Sequence, residues 1–158
     1  MPETPTIDLT QLDFTKPVAT HAQIYTRLLQ AGRFALLDGV ARFSTEEPVS
    51  IGFKEIRADD WWCTDHVPGR PLFPGVLMIE AGAQLASWDY LMRHSEQRGF
   101  LGFGGLNETR FRGQVEPGDR LVFVARELRV RKTMFIYAVK GFVENSLVFE
   151  TEVIGVAL

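Results

Sequence analysis

An almost uninterrupted apolar run from Leu72 to Trp88 constrains this chain more than any other feature. Pro74 suits the first turn of a helix, because its missing N–H would have no partner there, and the residues that follow favour helix through about His94. A helix that is apolar nearly all round must be surrounded by other elements. The run is short for a membrane span and carries Glu80 and Gln84, so it predicts a buried central helix and no membrane span.

The residues after this helix show the period of two that is typical of half-buried antiparallel strands, with Leu128 and Val130 alternating with charged residues. After the central helix, we expect strands at 99–112, 121–131, 134–143 and 147–156. Before it, we expect a short helix at 24–29, a hairpin formed by 34–43 and 49–56, and an ordered loop at 59–70. The predicted fold class is α+β, a long central helix against an antiparallel sheet. One domain is expected to span 1–158, with an irregular lead-in at 1–20 in which little chemistry is expected.

Composition and charge restrict the partners and the location of the protein. The 158 residues carry a formal net charge of -3 and no dense block of Lys or Arg, so no nucleic-acid partner is expected. Cys63 is the only cysteine, so no internal disulfide requires an oxidising compartment. The first residues lack the basic start and apolar core of a signal peptide, and we expect a cytoplasmic protein.

The segment from His66 to Glu80 contains the parts of an acid/base site. Prolines stiffen the loop after His66, and Gly75 has no side chain to block the outward-pointing N–H groups at the helix start. Glu80 lies roughly 7 to 8 Å along the helix axis from Gly75, at about 1.5 Å per residue. Glu80, Gln84 and Ser87 fall on one face of the helix and form a polar stripe.

These groups suit the elimination or addition of water beside a carbonyl group. Histidine is a ready base, and a carboxyl group on an apolar helix loses solvation, which favours its neutral form and makes Glu80 a candidate proton donor. The alternative is that Glu80 and Gln84 form only a satisfied polar pair. No metal site is expected at Cys63 and His66, because the sequence offers no further ligands at a suitable spacing.

The same segment resembles the beta-hydroxyacyl-acyl-carrier-protein dehydratase family of fatty acid synthesis, whose motif is His-x-Pro-x-x-Pro-x-x-Pro-Gly-Val-x-x-x-Glu. The matching residues are His66, Pro68, Pro71, Pro74, Gly75, Val76 and Glu80. So many fixed positions make the motif specific. The resemblance covers about residues 34–157. The resemblance implies a hot-dog fold. It also implies the removal of water from a 3-hydroxyacyl thioester linked to an acyl carrier protein, which gives the trans-2-enoyl thioester. No cofactor or metal is expected for this reaction.

The resemblance also implies a role for each residue of the site. His66 is the catalytic base, Glu80 is the acid, the Gly75 backbone N–H binds the thioester carbonyl, and Gln84 orients Glu80. In the family, the histidine and the carboxylate of one site come from different protomers. A homodimer is therefore the implied active unit, and assembly beyond the dimer stays open.

Further residues are expected to contact the substrate. They are Val67, Pro74, Val76 and Phe103, with Arg110 as a candidate for docking the carrier protein. A solvated sheet face is the alternative for Arg110. Asp65 and Val67 depart from the family pattern, in which Gly and Phe are usual, and Asp65 places a negative charge beside His66.

Two other functions remain open from the sequence. One is a hot-dog acyl thioesterase, and the other is a catalytically idle acyl-binding homologue. A dehydratase makes an enoyl thioester and leaves the thiol masked, a thioesterase releases a free thiol, and an idle homologue binds without turnover.

Overall fold

A computed structural model describes residues 7–96 and 99–158 of the chain. An antiparallel sheet of seven strands wraps around one long helix. The strands are β1 (Ala19–Thr20), β2 (Gly39–Phe43), β3 (Val49–Glu55), β4 (Leu101–Phe111), β5 (Arg120–Arg131), β6 (Met134–Val143) and β7 (Ser146–Ala157). The helices are α1 (His21–Arg27), α2 (Trp62–Asp65) and α3 (Gly75–Arg93), and short 3-10 turns occupy Leu9–Gln11 and Gly32–Phe34. The predicted α+β class and hot-dog fold are confirmed.

The strand order decides which edge of the sheet is left open. The order is β1-β2-β3-β5-β6-β7-β4, and every neighbouring pair is antiparallel. β4 therefore forms an outer edge and pairs only with β7 among the described strands. Its side chains include Phe103 and Phe111, each 52% exposed. This edge thus combines unpaired backbone groups with large exposed apolar side chains.

The central helix α3 is buried because few of its side chains are polar. Ala81, Leu85 and Ala86 are 0% exposed. Gly82 allows a close approach to the sheet, since a Cβ at this position would lie 2.8 Å from Val139 Cγ1 on β6. The predicted buried helix is confirmed. Among the residues that the structure describes, no helix is long and apolar enough to cross a membrane.

The first predicted strand is shorter than expected. The sequence predicts a strand over 34–43, but β2 begins only at Gly39. The backbone at the start of the expected strand bonds to a side chain instead of a neighbouring strand. Gln84 accepts from Leu36 N at 3.3 Å and donates to Phe34 O at 2.9 Å. A buried amide on α3 therefore replaces the sheet ladder here.

Two helices also differ from the prediction. The loop expected at 59–70 contains α2, a single turn that is too short to show a helical period. The helix expected at 24–29 begins earlier, at His21, because Thr20 and Gln23 form a capping box at its start. The four strands after α3 begin and end within two residues of their predicted bounds.

The lead-in, of which residues 1–6 lie outside the described residues, packs on the face of the sheet that points away from α3. A second buried cluster on that face comprises Val49, Ile51, Phe53, Val122 and Val124, with Ile7, Leu9, Leu12 and Phe14 packed against it. The rings of Phe14 and Phe53 meet edge to face, with centroids 5.1 Å apart. Although mostly irregular, as predicted, the lead-in covers apolar surface that the sheet would otherwise expose to water.

A buried polar network holds the far end of α3 to the sheet. Asp89 is 0% exposed and accepts hydrogen bonds from the hydroxyl groups of Ser50 on β3 and Tyr137 on β6. Arg93 donates to Asp89 at 2.7 and 2.9 Å and to Ser44 O at 2.6 Å. Burial and the nearby Asp89 carboxylate raise the pKa of Tyr137, which keeps its hydroxyl protonated as a donor.

We expect Asp89→Asn to lower the free energy of unfolding by about 3 kcal/mol, because a buried cation would lose its counter-charge. The side chain of Arg93 is only 12% exposed. Urea unfolding followed by circular dichroism measures the loss. Glu55→Gln is the matched control, because Glu55 pairs with the half-exposed Arg120 and its loss should cost less than about 1 kcal/mol. Equal losses in the two variants would contradict the assignment.

Candidate active site

The loop before α3 holds His66 in a defined orientation at the end of α2. Its backbone N–H donates to Trp62 O at 2.9 Å, and its ring Nδ1 lies 2.9 Å from Leu72 O. Because a carbonyl oxygen can only accept, Nδ1 carries the proton in this contact. The neutral ring then keeps its lone pair on Nε2, and the side chain is exposed. His66 can therefore accept a proton from a bound molecule.

The start of α3 offers unpaired backbone donors. The N-cap residue Pro74 provides no side-chain cap, and the Gly75 N–H donates to no residue that the structure describes. The Phe111 ring on β4 packs against Gly75, since a Cβ there would lie 2.9 Å from Phe111 Cε1. The free N–H and the positive end of the helix dipole suit a carbonyl oxygen on which negative charge develops.

Glu80 is half-buried and hydrogen-bonded to Gln84, which is 2% exposed. Gln84 Nε2 donates to Glu80 Oε1 at 2.9 Å and to Phe34 O at 2.9 Å. Gln84 Oε1 accepts from the Tyr25 hydroxyl at 2.6 Å and from Leu36 N at 3.3 Å. A primary amide has two donor hydrogens and two acceptor lone pairs, so the amide of Gln84 is saturated. It holds one carboxylate oxygen of Glu80 and leaves the other for a ligand.

A cavity of about 240 Å³ lies between α3 and the strands at the β4 edge. The predicted polar stripe of Glu80, Gln84 and Ser87 lines one side. Phe103 on β4 and Phe135 on β6 contribute to the opposite, largely apolar wall. The polar stripe therefore faces a cavity and not the packed core, which is the position that a substrate-binding face requires.

The predicted acid and base do not line the same cavity within one chain. Glu80 lines the cavity, whereas His66 is not among the residues that line it. The side chain of His66 is instead exposed on the loop before α3. The cavity of Glu80 therefore lacks His66 within a single chain.

The predicted substrate-binding residues occupy different surroundings. Phe103 lines the cavity beside Glu80. Val67 and Val76 are 39% and 71% exposed, and Pro74 is buried. Arg110 is exposed on β4 and donates to Thr109 O at 2.9 Å. Of this set, only Phe103 contacts the cavity in the single chain.

Three residues of this region lie outside the predicted set. Tyr25 on α1 donates to Gln84 across a sequence separation of 59 residues. The first helix after the lead-in therefore contributes a side chain to the surroundings of Glu80. Burial raises the pKa of Tyr25, which keeps its hydroxyl a donor. Phe111 covers Gly75, and Gln30 lines the cavity with Glu80. No local pattern marks these residues, because each contact joins distant parts of the chain.

Similarity to known proteins identifies the family. A family model described as a FabA-like domain matches residues 29–152. The 3-hydroxyacyl-[acyl-carrier-protein] dehydratase FabZ of Syntrophobacter fumaroxidans is 36% identical over 123 residues, which cover 77% of this chain and 82% of that protein. The protein of the same name from Listeria monocytogenes is 37% identical over 122 residues, covering 76% of this chain and 83% of its own length.

Solved structures share the architecture. A chain of the dehydratase heterocomplex ApeI:P from Xenorhabdus doucetiae matches with a TM-score of 0.73 at 12% identity, covering 85% of this chain and 90% of that chain. A hypothetical thioesterase with coenzyme A from Streptococcus pneumoniae matches with a TM-score of 0.59 at 7% identity, covering 75% and 84%. Likeness at such low identity shows the fold alone. With the family model spanning residues 29–152 and relatives at 36% and 37% identity, this chain belongs to the FabA-like domain family.

Proposed function

We propose that this protein removes water from a 3-hydroxyacyl thioester carried by an acyl carrier protein, giving the trans-2-enoyl thioester in fatty acid or related lipid or polyketide synthesis. The observation that carries the proposal is the Glu80 carboxylate, held by Gln84 beside a cavity of about 240 Å³. Two relatives in the same family are named 3-hydroxyacyl-[acyl-carrier-protein] dehydratases, which supports this reaction.

Each group has one task in the elimination. The Gly75 N–H donates to the thioester oxygen, which acidifies the hydrogens on the neighbouring carbon. His66 Nε2 takes one of these protons from the second carbon. The electron pair of the broken carbon–hydrogen bond forms the new double bond as the carbon–oxygen bond at the third carbon breaks. Glu80 gives its proton to the departing hydroxyl, which leaves as water. His66 then returns the captured proton to Glu80 or to solvent, so that no cofactor is consumed.

A homodimer is part of the proposal. His66 and Glu80 do not share a cavity within one chain, so a complete site requires His66 from a second copy. The open β4 edge supports this arrangement, since Phe103 is 52% exposed there and also lines the cavity with Glu80. A second copy that covers this edge would bury apolar surface next to the carboxylate.

Three further parts of the proposal concern the domain, the carrier protein and the cellular location. We take residues 1–158 as one domain, because one sheet and one central helix use both ends of the described chain. Arg110 is exposed in the single chain, and its contact with an acidic carrier protein stays a prediction. The cytoplasmic location also stays a prediction, and the single cysteine, Cys63, is compatible with it because no internal disulfide requires an oxidising compartment.

Wild-type protein should convert a 3-hydroxyacyl pantetheine thioester to a product lighter by one water. His66→Ala and Glu80→Gln should each slow this step about 100- to 10,000-fold, because each removes a proton-transfer group. Mass spectrometry of the product and thiol titration of the same samples measure both outcomes. Release of free thiol with no loss of water would instead identify a thioesterase. Water loss at the wild-type rate in either variant would refute the assigned mechanism.

A mixed dimer tests whether two chains share each site. His66→Ala and Glu80→Gln chains are co-expressed with different tags and purified as the heterodimer. If the base and acid come from different chains, one site keeps both groups and the other loses both, so about half of the wild-type rate should return. The two homodimers are the inactive controls. A heterodimer as inactive as the homodimers would contradict the shared site.

Gly75→Ala should lower kcat/KM by about ten- to a hundredfold, because the new Cβ displaces the neighbouring ring and shifts the carbonyl-binding N–H. The clash is with Phe111 Cε1, at 2.9 Å. Adding Phe111→Ala to the same chain should restore part of the loss. Steady-state kinetics measure both effects, and thermal unfolding shows whether each variant is folded. Wild-type activity in Gly75→Ala would argue against a role for this N–H.

A further inference from the structure

The Tyr25 hydroxyl belongs to a series of hydrogen bonds that ends at the Glu80 carboxyl group. It accepts from Leu37 N at 2.9 Å and donates to Gln84 Oε1 at 2.6 Å. Gln84 Nε2 in turn donates to Glu80 Oε1 at 2.9 Å. A phenol has only one hydrogen to donate, and Tyr25 gives it to Gln84. Because Tyr25 does not line the cavity beside Glu80, it can act on a ligand there only through its neighbours.

The position of the Tyr25 hydroxyl is itself fixed by α1. His21 precedes Tyr25 by one helical turn, and its Nδ1 lies 2.7 Å from Leu37 O, to which it donates because a carbonyl oxygen can only accept. The rings of His21 and Tyr25 pack with their centroids 4.9 Å apart. Ile24, between them in sequence, is 0% exposed and anchors the helix in the core. The helix thus holds the phenol hydroxyl opposite the Gln84 amide.

The oxygen of the Gln84 amide depends more on Tyr25 than on its second donor. Leu36 N contacts Oε1 at 3.3 Å, beyond the usual range of about 2.7 to 3.2 Å for a bond of this kind. The contact from Tyr25 is short for a bond between two oxygens. On the other side of the amide, Nε2 keeps Phe34 O as a fixed acceptor. Without the hydroxyl, the amide would be held firmly on one side only and could shift relative to Glu80.

We infer that Tyr25 is a positioning residue for the acid, because it holds the Gln84 amide that places the proton of Glu80 on Oε2. This inference rests on the proposed function, in which Glu80 protonates the departing hydroxyl. The carbonyl oxygen of a neutral carboxyl group accepts hydrogen bonds better than the hydroxyl oxygen, so the donor on Gln84 selects Oε1 as the carbonyl. No described residue bonds to Oε2, and the side chain lines the cavity. The proton therefore lies on the oxygen that can meet a ligand.

Tyr25→Phe removes the hydroxyl and keeps the ring, so it tests the hydrogen bond itself. With 3-hydroxybutyryl pantetheine as substrate, kcat should fall roughly two- to tenfold, which corresponds to one hydrogen bond. KM should stay within about twofold of wild type, because no group that contacts the substrate is lost. Tyr137→Phe is the matched control, since it removes a buried phenol hydroxyl that donates to Asp89 near the C-terminal end of α3, and it should leave both constants unchanged. Thermal unfolding shows whether each variant is folded.

A double-mutant cycle shows whether Tyr25 acts through Gln84. Gln84→Met keeps the length of the side chain and removes the amide. In this background, a further Tyr25→Phe change should lower kcat by less than about twofold, because the hydroxyl has already lost its partner. An equal loss of kcat in both backgrounds would overturn the inference, as would wild-type kcat in Tyr25→Phe.

Exchange of the Gln84 side-chain amide hydrogens with water, measured by NMR, gives a readout that needs neither substrate nor Gln84→Met. Exchange should be roughly two- to tenfold faster in Tyr25→Phe than in wild type, because the amide opens more often, and Tyr137→Phe should leave the rate unchanged. Equal rates in wild type and Tyr25→Phe would contradict the role assigned to Tyr25. Wild-type protein that removes no water would instead refute the proposed function, and the exchange rates would still decide whether Tyr25 holds the amide.

Discussion

The saturated amide of Gln84 is the interaction on which the site depends. Its four hydrogen bonds join α3 to Tyr25 on α1, to the backbone of Phe34 and Leu36, and to the Glu80 carboxylate. A buried amide in one orientation thus fixes the Glu80 carboxyl group and takes the place of the strand ladder that the sequence predicts before β2. Loss of the amide would leave groups from three elements unpaired inside the protein, where each costs free energy. The Gln84 amide therefore determines both the position of Glu80 and the path of the chain at Phe34 and Leu36.

Two parts of α3 are held by different chemistry. Near the middle of the helix, the neutral amide of Gln84 holds Glu80 beside a cavity. At the C-terminal end, Asp89 and Arg93 form a buried ionic network with β3 and β6. Gly82, which lies between Glu80 and Gln84, brings the helix close to the sheet. A helix fixed at three levels cannot shift along the sheet without breaking polar contacts, so it supports groups that must stay within fractions of an ångström of their working positions.

The sequence predicts the elements that depend on local pattern. The apolar run identifies α3, the period of two identifies the strands that follow it, and the fifteen-residue motif identifies His66 and Glu80. The missed features depend on distant contacts. Tyr25 bonds to Gln84 across 59 residues of sequence. The packing of the apolar side chains of the lead-in could not be predicted locally, because the sheet face that they cover is formed by distant strands. The turn of α2 is missed for another reason, because four residues are too few to show a period.

The motif is continuous in sequence, yet His66 does not line the cavity of Glu80 in one chain. The reason lies in the geometry of the β4 edge. Phe111 on this strand packs against Gly75, and Phe103 on the same strand lines the cavity of Glu80. The Gly75 N–H and the Glu80 carboxyl group therefore both lie beside an open edge, while His66 is exposed on the loop before α3. In the proposed homodimer, each chain would offer Glu80 to one site and His66 to the other, so that a second copy at the edge would complete both sites at once.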